Sequence, residues 1–74
     1  MAGDASALEV RLRTWRKEWA EAHDMAAFMV LHDSTLRSLA ESRPTTVDEL
    51  LAIRGIRQRK IDQFGEALLK VLVE

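Results

Sequence analysis

Apolar residues recur with a helical period almost from the start of this 74-residue chain. Leu8, Leu12, Trp15, Trp19 and Ala22 follow one another at spacings of four and three, the stripe of an amphipathic helix over about residues 5–23. On its polar side Glu9 and Arg13 stand one turn apart and support the helix, whereas Arg13 and Lys17 crowd like charges. The pattern stops at His23-Asp24. Met25 to Leu31 then form a run of seven apolar residues, which reads either as a short helical turn or as a buried connector. Asp33 offers a side-chain acceptor as N-cap of a helix over 34–42, in which Leu36, Leu39 and Ala40 face inward. Arg43 precedes Pro44 and is expected to be extended, in a loop. Thr46 and Glu49 have the spacing of a capping box, with the Thr hydroxyl serving the third helical N–H and the Glu returning to the cap.

A short helix over 47–53 follows and Gly55 breaks it. The last helix, 58–73, presents Ile61, Phe64, Leu68, Val71 and Leu72 to the core. No strand alternation competes. The expected architecture is all-α, a compact bundle of four main helices plus one short helical turn, with residues 1–6 as a flexible tail and 7–74 as one domain.

Composition narrows the function. Eleven Lys and Arg against twelve Asp and Glu leave a formal charge of -1, which argues against binding nucleic acid by bulk positive charge and leaves only a local patch. With no cysteine, the chain has no disulfide, thiolate zinc site or thiol nucleophile, and its stability rests on packing alone. Met1 to Ser6 lack the basic and apolar tract of a signal peptide, and no stretch approaches the roughly 20 apolar residues of a membrane span. A location in the cytoplasm without membrane contact is expected.

Catalytic chemistry finds little to work with. His23 and His32 have no obvious third ligand, so neither a metal nor any other cofactor is expected. His32-Asp33-Ser34 holds the residue types of a nucleophilic triad, but adjacent side chains cannot face one another as a triad requires. The twelve carboxylates are scattered among basic partners, and so short a chain offers no deep cleft for acid–base work.

One segment concentrates charge. Leu50 to Ile61 join two helices through a Gly-containing turn, and Arg54, Arg57, Arg59 and Lys60 fall within seven residues. Backbone N–H groups and the positive end of the last helix add to these cations in a way that suits a phosphate. The plainer reading is a left-handed turn at Gly55 with charges that keep the surface solvated. On the first helix Arg13, Arg16 and Lys17 share a sector of about 100°, either a second basic strip or an ordinary solvated face neutralised by Glu9, Glu18 and Glu21. Phe28 lies in an apolar run, where aromatic residues are more often core.

These segments, in their order, resemble the HRDC domain, the helicase and RNase D C-terminal module. Leu8 to Lys17 is similar to its first helix, Phe28 to Leu39 to its aromatic-led connector and Asp-capped helix, and Arg43 to Thr46 to its loop before Asp48-Glu49-Leu50-Leu51. Leu50 to Ile61 resembles its helix-hairpin-helix element, and Lys60 to Ala67 its closing helix. Two departures stand out: the hairpin reads Gly55-Ile56-Arg57 where many relatives have Gly, apolar, Gly, and the connector reads Ala26-Ala27-Phe28 where relatives often have Pro-Pro-Tyr.

The resemblance implies a non-catalytic accessory domain of a DNA helicase, most like those of bacterial RecQ type, that modulates DNA binding and substrate choice through weak single-stranded or branched DNA contacts. It places Phe28 at the aromatic position that stacks on single strands in some RecQ relatives, beside the candidate contacts Arg54, Arg57, Arg59 and Lys60, with Arg13, Arg16 and Lys17 on the first helix. Partners would be DNA and the catalytic core of the parent helicase, the isolated domain being a monomer in the bacterial cytoplasm or nucleoid. The alternative is a regulatory domain that docks on the helicase core through an acidic surface including Asp48, Glu49, Asp62 and Glu66, without binding DNA.

Overall fold

The computed structural model describes residues 2–73, which form five helices and no strand. They are α1 (Ala2–Ala22), α2 (Ala27–Val30), α3 (Asp33–Ser42), α4 (Val47–Leu51) and α5 (Gln58–Val73). α1 is helical already at Ala2, earlier than the periodicity placed it and within the stretch read as a tail. It packs against α2, α3 and α5, while α4 packs on α5.

The buried row on α1 is Leu8, Leu12, Arg16 and Ala20, repeating every fourth residue. Trp15 and Trp19 flank that row, half-buried against the core, and Ala22 is exposed rather than inward. α3 contributes Leu36, Leu39 and Ala40, and α5 contributes Phe64, Leu68 and Leu72, as the helical spacing predicts; Ile61 and Val71 pack half-buried at the margin. α5 leaves helical geometry at Phe64 (φ -148°, ψ 18°). The Phe64 ring there sits 5.3 Å from both tryptophan rings of α1, edge-on to each. Such aromatic pairs contribute about 0.5–1.5 kcal/mol beyond burial alone.

Four local expectations are corrected. Asp33 is the first residue of α3 and not its cap; His32 holds the cap position without a side-chain hydrogen bond, and the Asp33 carboxylate is drawn to arginines of α1. Arg43 is left-handed (φ 50°, ψ 58°) instead of extended, because its N–H closes α3 by donating to the Leu39 carbonyl at 2.8 Å. The right-handed conformation that a following proline disfavours is avoided in either case. At α4, Thr46 Oγ1 accepts from the Glu49 N–H as the capping box requires, but Glu49 reaches past the cap to the N–H of Thr45 (2.7 Å) and its hydroxyl (3.0 Å). Those bonds, led by the Thr45 N–H, hold the Glu49 carboxyl below its ordinary pKa. α4 ends at Leu51, two residues short of the expected Ile53.

Candidate nucleic-acid interface

The seven-residue apolar run resolves into two anchors and two outward side chains. Val30 and Leu31 are fully buried, whereas Phe28 is 64% and Met29 55% exposed. A four-residue helix has one inward face, and Val30 with the following Leu31 fills it. Phe28 is therefore a surface aromatic, against the usual expectation for such a run.

Beside it stands the α4–α5 turn. Ile53 and Ile56 are buried and pin the turn at both ends, while Arg54, Arg57 and Arg59 are exposed. Gly55 between them has φ 97°, a left-handed conformation open to glycine at no steric cost. The Thr35 hydroxyl of α3 reaches in and donates to the Arg54 carbonyl at 3.2 Å. A Cβ on Gly55 would meet that same oxygen.

Lys60 joins the two parts. Its Nζ donates to the carbonyls of Met29 (3.2 Å) and Val30 (2.8 Å) and lies 5.9 Å from the centre of the Phe64 ring. The result is a pair of adjoining hollows. Phe28, Met29, His32, Gly55 and Lys60 line the first, and Met29, Gly55, Arg57, Arg59, Lys60 and Gln63 line the second. Arg54 lies over the outer side of the turn, with Arg57 at its edge. An exposed aromatic ring thus lines one hollow and a cationic rim the next, with the flexible Met29 thioether, Gly55 and Lys60 common to both.

The first-helix cations do not join this face as a set. Arg16 is 9% exposed, donates to the Leu31 carbonyl at 2.8 Å and pairs with Asp33 at 2.8 Å. Burial removes Arg16 from the expected contact strip. The strip's own spacing held the clue, since Arg16 falls four residues after Leu12 and four before Ala20, on the buried row. Arg13 is engaged by Glu9 (3.0 Å) and Asp33 (3.4 Å), and the hydrogen bond to Glu9 leads the causes that raise its pKa. Asp33 is shifted down, first by the hydrogen bond from Arg16 and then by the charge of Arg13. Lys17 remains exposed. Of the proposed acidic surface, Glu49 is occupied by Thr45 and Asp62 accepts from Gln58 at 3.0 Å, leaving Asp48 and Glu66 as exposed carboxylates without such bonds.

His23 stacks on Trp19, ring centres 3.5 Å apart, and its Nδ1 lies 2.9 Å from the Trp19 carbonyl; His32 is exposed at the edge of the first hollow. Among the described residues no group of His, Asp and Glu is placed to hold a metal ion. No helix among them is long and apolar enough to cross a membrane.

The family model of the HRDC domain matches residues 6–72. This chain belongs to the HRDC domain family. Over 65 residues, 88% of its length, the domain is 35% identical to the ATP-dependent DNA helicase RecQ of Pasteurella multocida. It is 37% identical over 65 residues to the ATP-dependent DNA helicase UvrD2 of Mycobacterium tuberculosis, and 37% identical over 60 residues to RecQ of Bacillus subtilis. The chain spans only 9 to 10% of the length of these relatives. The all-helical fold and the helicase relatives agree with the resemblance, and the identities do not separate the RecQ type from the UvrD type. An HRDC domain is an accessory module of such helicases and not their catalytic part.

Proposed function

We propose that this HRDC domain contributes weak single-stranded DNA contacts to a parent helicase and through them biases which DNA structures the helicase engages. The observation that carries the reading is Phe28, 64% exposed and set against the basic turn. In this reading one base stacks on Phe28, a contact worth about 1 to 3 kcal/mol. Arg57 and Arg59 take phosphates on the inner rim, and Arg54 takes one on the outer side of the turn. Of the three first-helix candidates, Arg13 and Arg16 are committed to Asp33 and Lys17 stays available to a longer strand.

Such a site neutralises few phosphates, and a net charge of -1 adds no long-range attraction. Binding should therefore be weak, with a slope of log affinity against log salt of about 0.7 for each phosphate contacted on a single strand. Titration of labelled oligothymidine at several salt concentrations tests this. A slope near 2 that drops when Arg57 and Arg59 are both changed to Gln supports the reading, while salt-independent binding, or binding untouched by that change, contradicts it.

A further inference from the structure

Three consecutive carbonyls, those of Met29, Val30 and Leu31, leave α2 without helical partners, because a four-residue helix ends before any later N–H can return to them. Two cations from elsewhere in the chain meet the three. Lys60 of α5 donates to Met29 and Val30, and Arg16 of α1 donates to Leu31. Val30 and Leu31 are buried, so their two carbonyls have little recourse to water and the two cations are what satisfies them, whereas the Met29 carbonyl takes its bond from Lys60 at the surface. Arg16 is in turn steadied by Asp33, at the start of α3.

We propose that Lys60 and Arg16 are positioning residues that clamp α2 from α5 and α1 and so hold the Phe28 ring against the basic turn, an inference that rests on the single-strand reading for its functional consequence. Lys60 is then not a phosphate contact, although it belongs to the same basic cluster. Its ammonium is spent on backbone carbonyls, and its position over Phe64 ties it further to the core. Arginine could keep the bonds; an apolar chain of similar length could not.

The test compares Lys60→Met, Lys60→Arg and Arg57→Gln in this chain, each checked for an unchanged helical circular-dichroism spectrum. Amide hydrogen exchange reads the clamp directly. The N–H groups of Met29 and Leu31, bonded to Ala26 and Ala27, should exchange about fivefold faster or more in Lys60→Met, while those of central α1 and α5 keep their rates and Lys60→Arg restores protection. Unchanged exchange at Met29 and Leu31 in Lys60→Met overturns the clamp, whatever the chain does with DNA.

Oligothymidine titration then reads the consequence. Lys60→Met should weaken binding about three- to tenfold, a part of what losing the base stacked on Phe28 would remove, with the salt slope unchanged. Arg57→Gln should lower the slope by about 0.7. In a Phe28→Ala background, Lys60→Met should add little further loss, because it acts through Phe28. A slope reduced by Lys60→Met, together with a full additional loss in that background, overturns the positioning role in favour of a direct phosphate contact. If the unaltered chain does not bind single strands at all, the proposed function fails, and the exchange result alone decides the clamp.

Discussion

Gly55 is the residue whose identity the fold most plainly requires. At φ 97° an L side chain is strained, and the space its Cβ would take is filled by the Thr35 hydroxyl. Gly55→Ala is expected to cost at least about 1 kcal/mol, which in a domain of this size lowers the melting temperature by roughly 4–8 °C. Differential scanning calorimetry checks it. Arg16 makes the complementary case. Charge groups it with Arg13 and Lys17 on a surface strip, and only the i, i+4 row with Leu12 and Ala20 points to its burial. Arg16→Met removes the donor to the buried Leu31 carbonyl and should destabilise by about 1–3 kcal/mol without lowering the salt slope of DNA binding.

Asp33 supplies a pH dependence. Its carboxyl is held below the ordinary aspartate value, chiefly by the hydrogen bond from Arg16 and then by Arg13. A carboxyl shifted down in the folded state stabilises above its unfolded pKa, about 3.9, and loses that contribution as the pH falls through the lowered folded value. Glu49, also shifted down by Thr45, acts in the same direction. The melting temperature should therefore decline more steeply below about pH 4 in the native chain than in Asp33→Asn, a difference that paired thermal melts between pH 2 and 7 would register.

At the scale of elements, helices with a long apolar period were legible, as was the start of α4 from its Thr46 cap, whereas α2 was not. α5 occupies the predicted 58–73, and α3 differs from its predicted start by one residue, because many residues contribute to each period. α2 offered seven apolar residues and no period, so sequence could not say which two point outward. That choice is made by packing: Val30 and Leu31 fill the core, which leaves Phe28 and Met29 on the surface. The resemblance to the HRDC family singled out Phe28 where propensity alone placed it inside. Truncating it tests the element. Phe28→Ala should leave the melting temperature within a few degrees, because the ring is largely exposed, yet reduce single-strand affinity by about fivefold to over a hundredfold, the equivalent of 1–3 kcal/mol. Phe64→Ala should do the opposite in stability, losing about 3–5 kcal/mol with its two tryptophan contacts.

For the whole molecule, near-neutral charge and a small core set the terms. A chain of 74 residues without cysteine has no covalent staple, and its helices depend on one shared core that Trp15, Trp19 and Phe64 extend at one side. Charge balance was readable from composition; its distribution was not. Folding pairs Arg13 and Arg16 with Asp33 and turns Lys60 onto backbone carbonyls, so the exposed cations beside Phe28 reduce to the arginines of one turn. That distribution fits the proposed role, a subordinate contact made within a larger helicase.

The central claim, that Phe28 and the α4–α5 turn form one single-strand site, is tested most directly by mapping amide and aromatic shifts of the labelled chain during titration with oligothymidine. Shifts should concentrate at Phe28, Met29, His32, Gly55, Arg57 and Arg59, with Glu9 to Arg16 of α1 unmoved. Shifts centred on α1 or on the carboxylates of Asp48 and Glu66, or none at millimolar DNA, would contradict it.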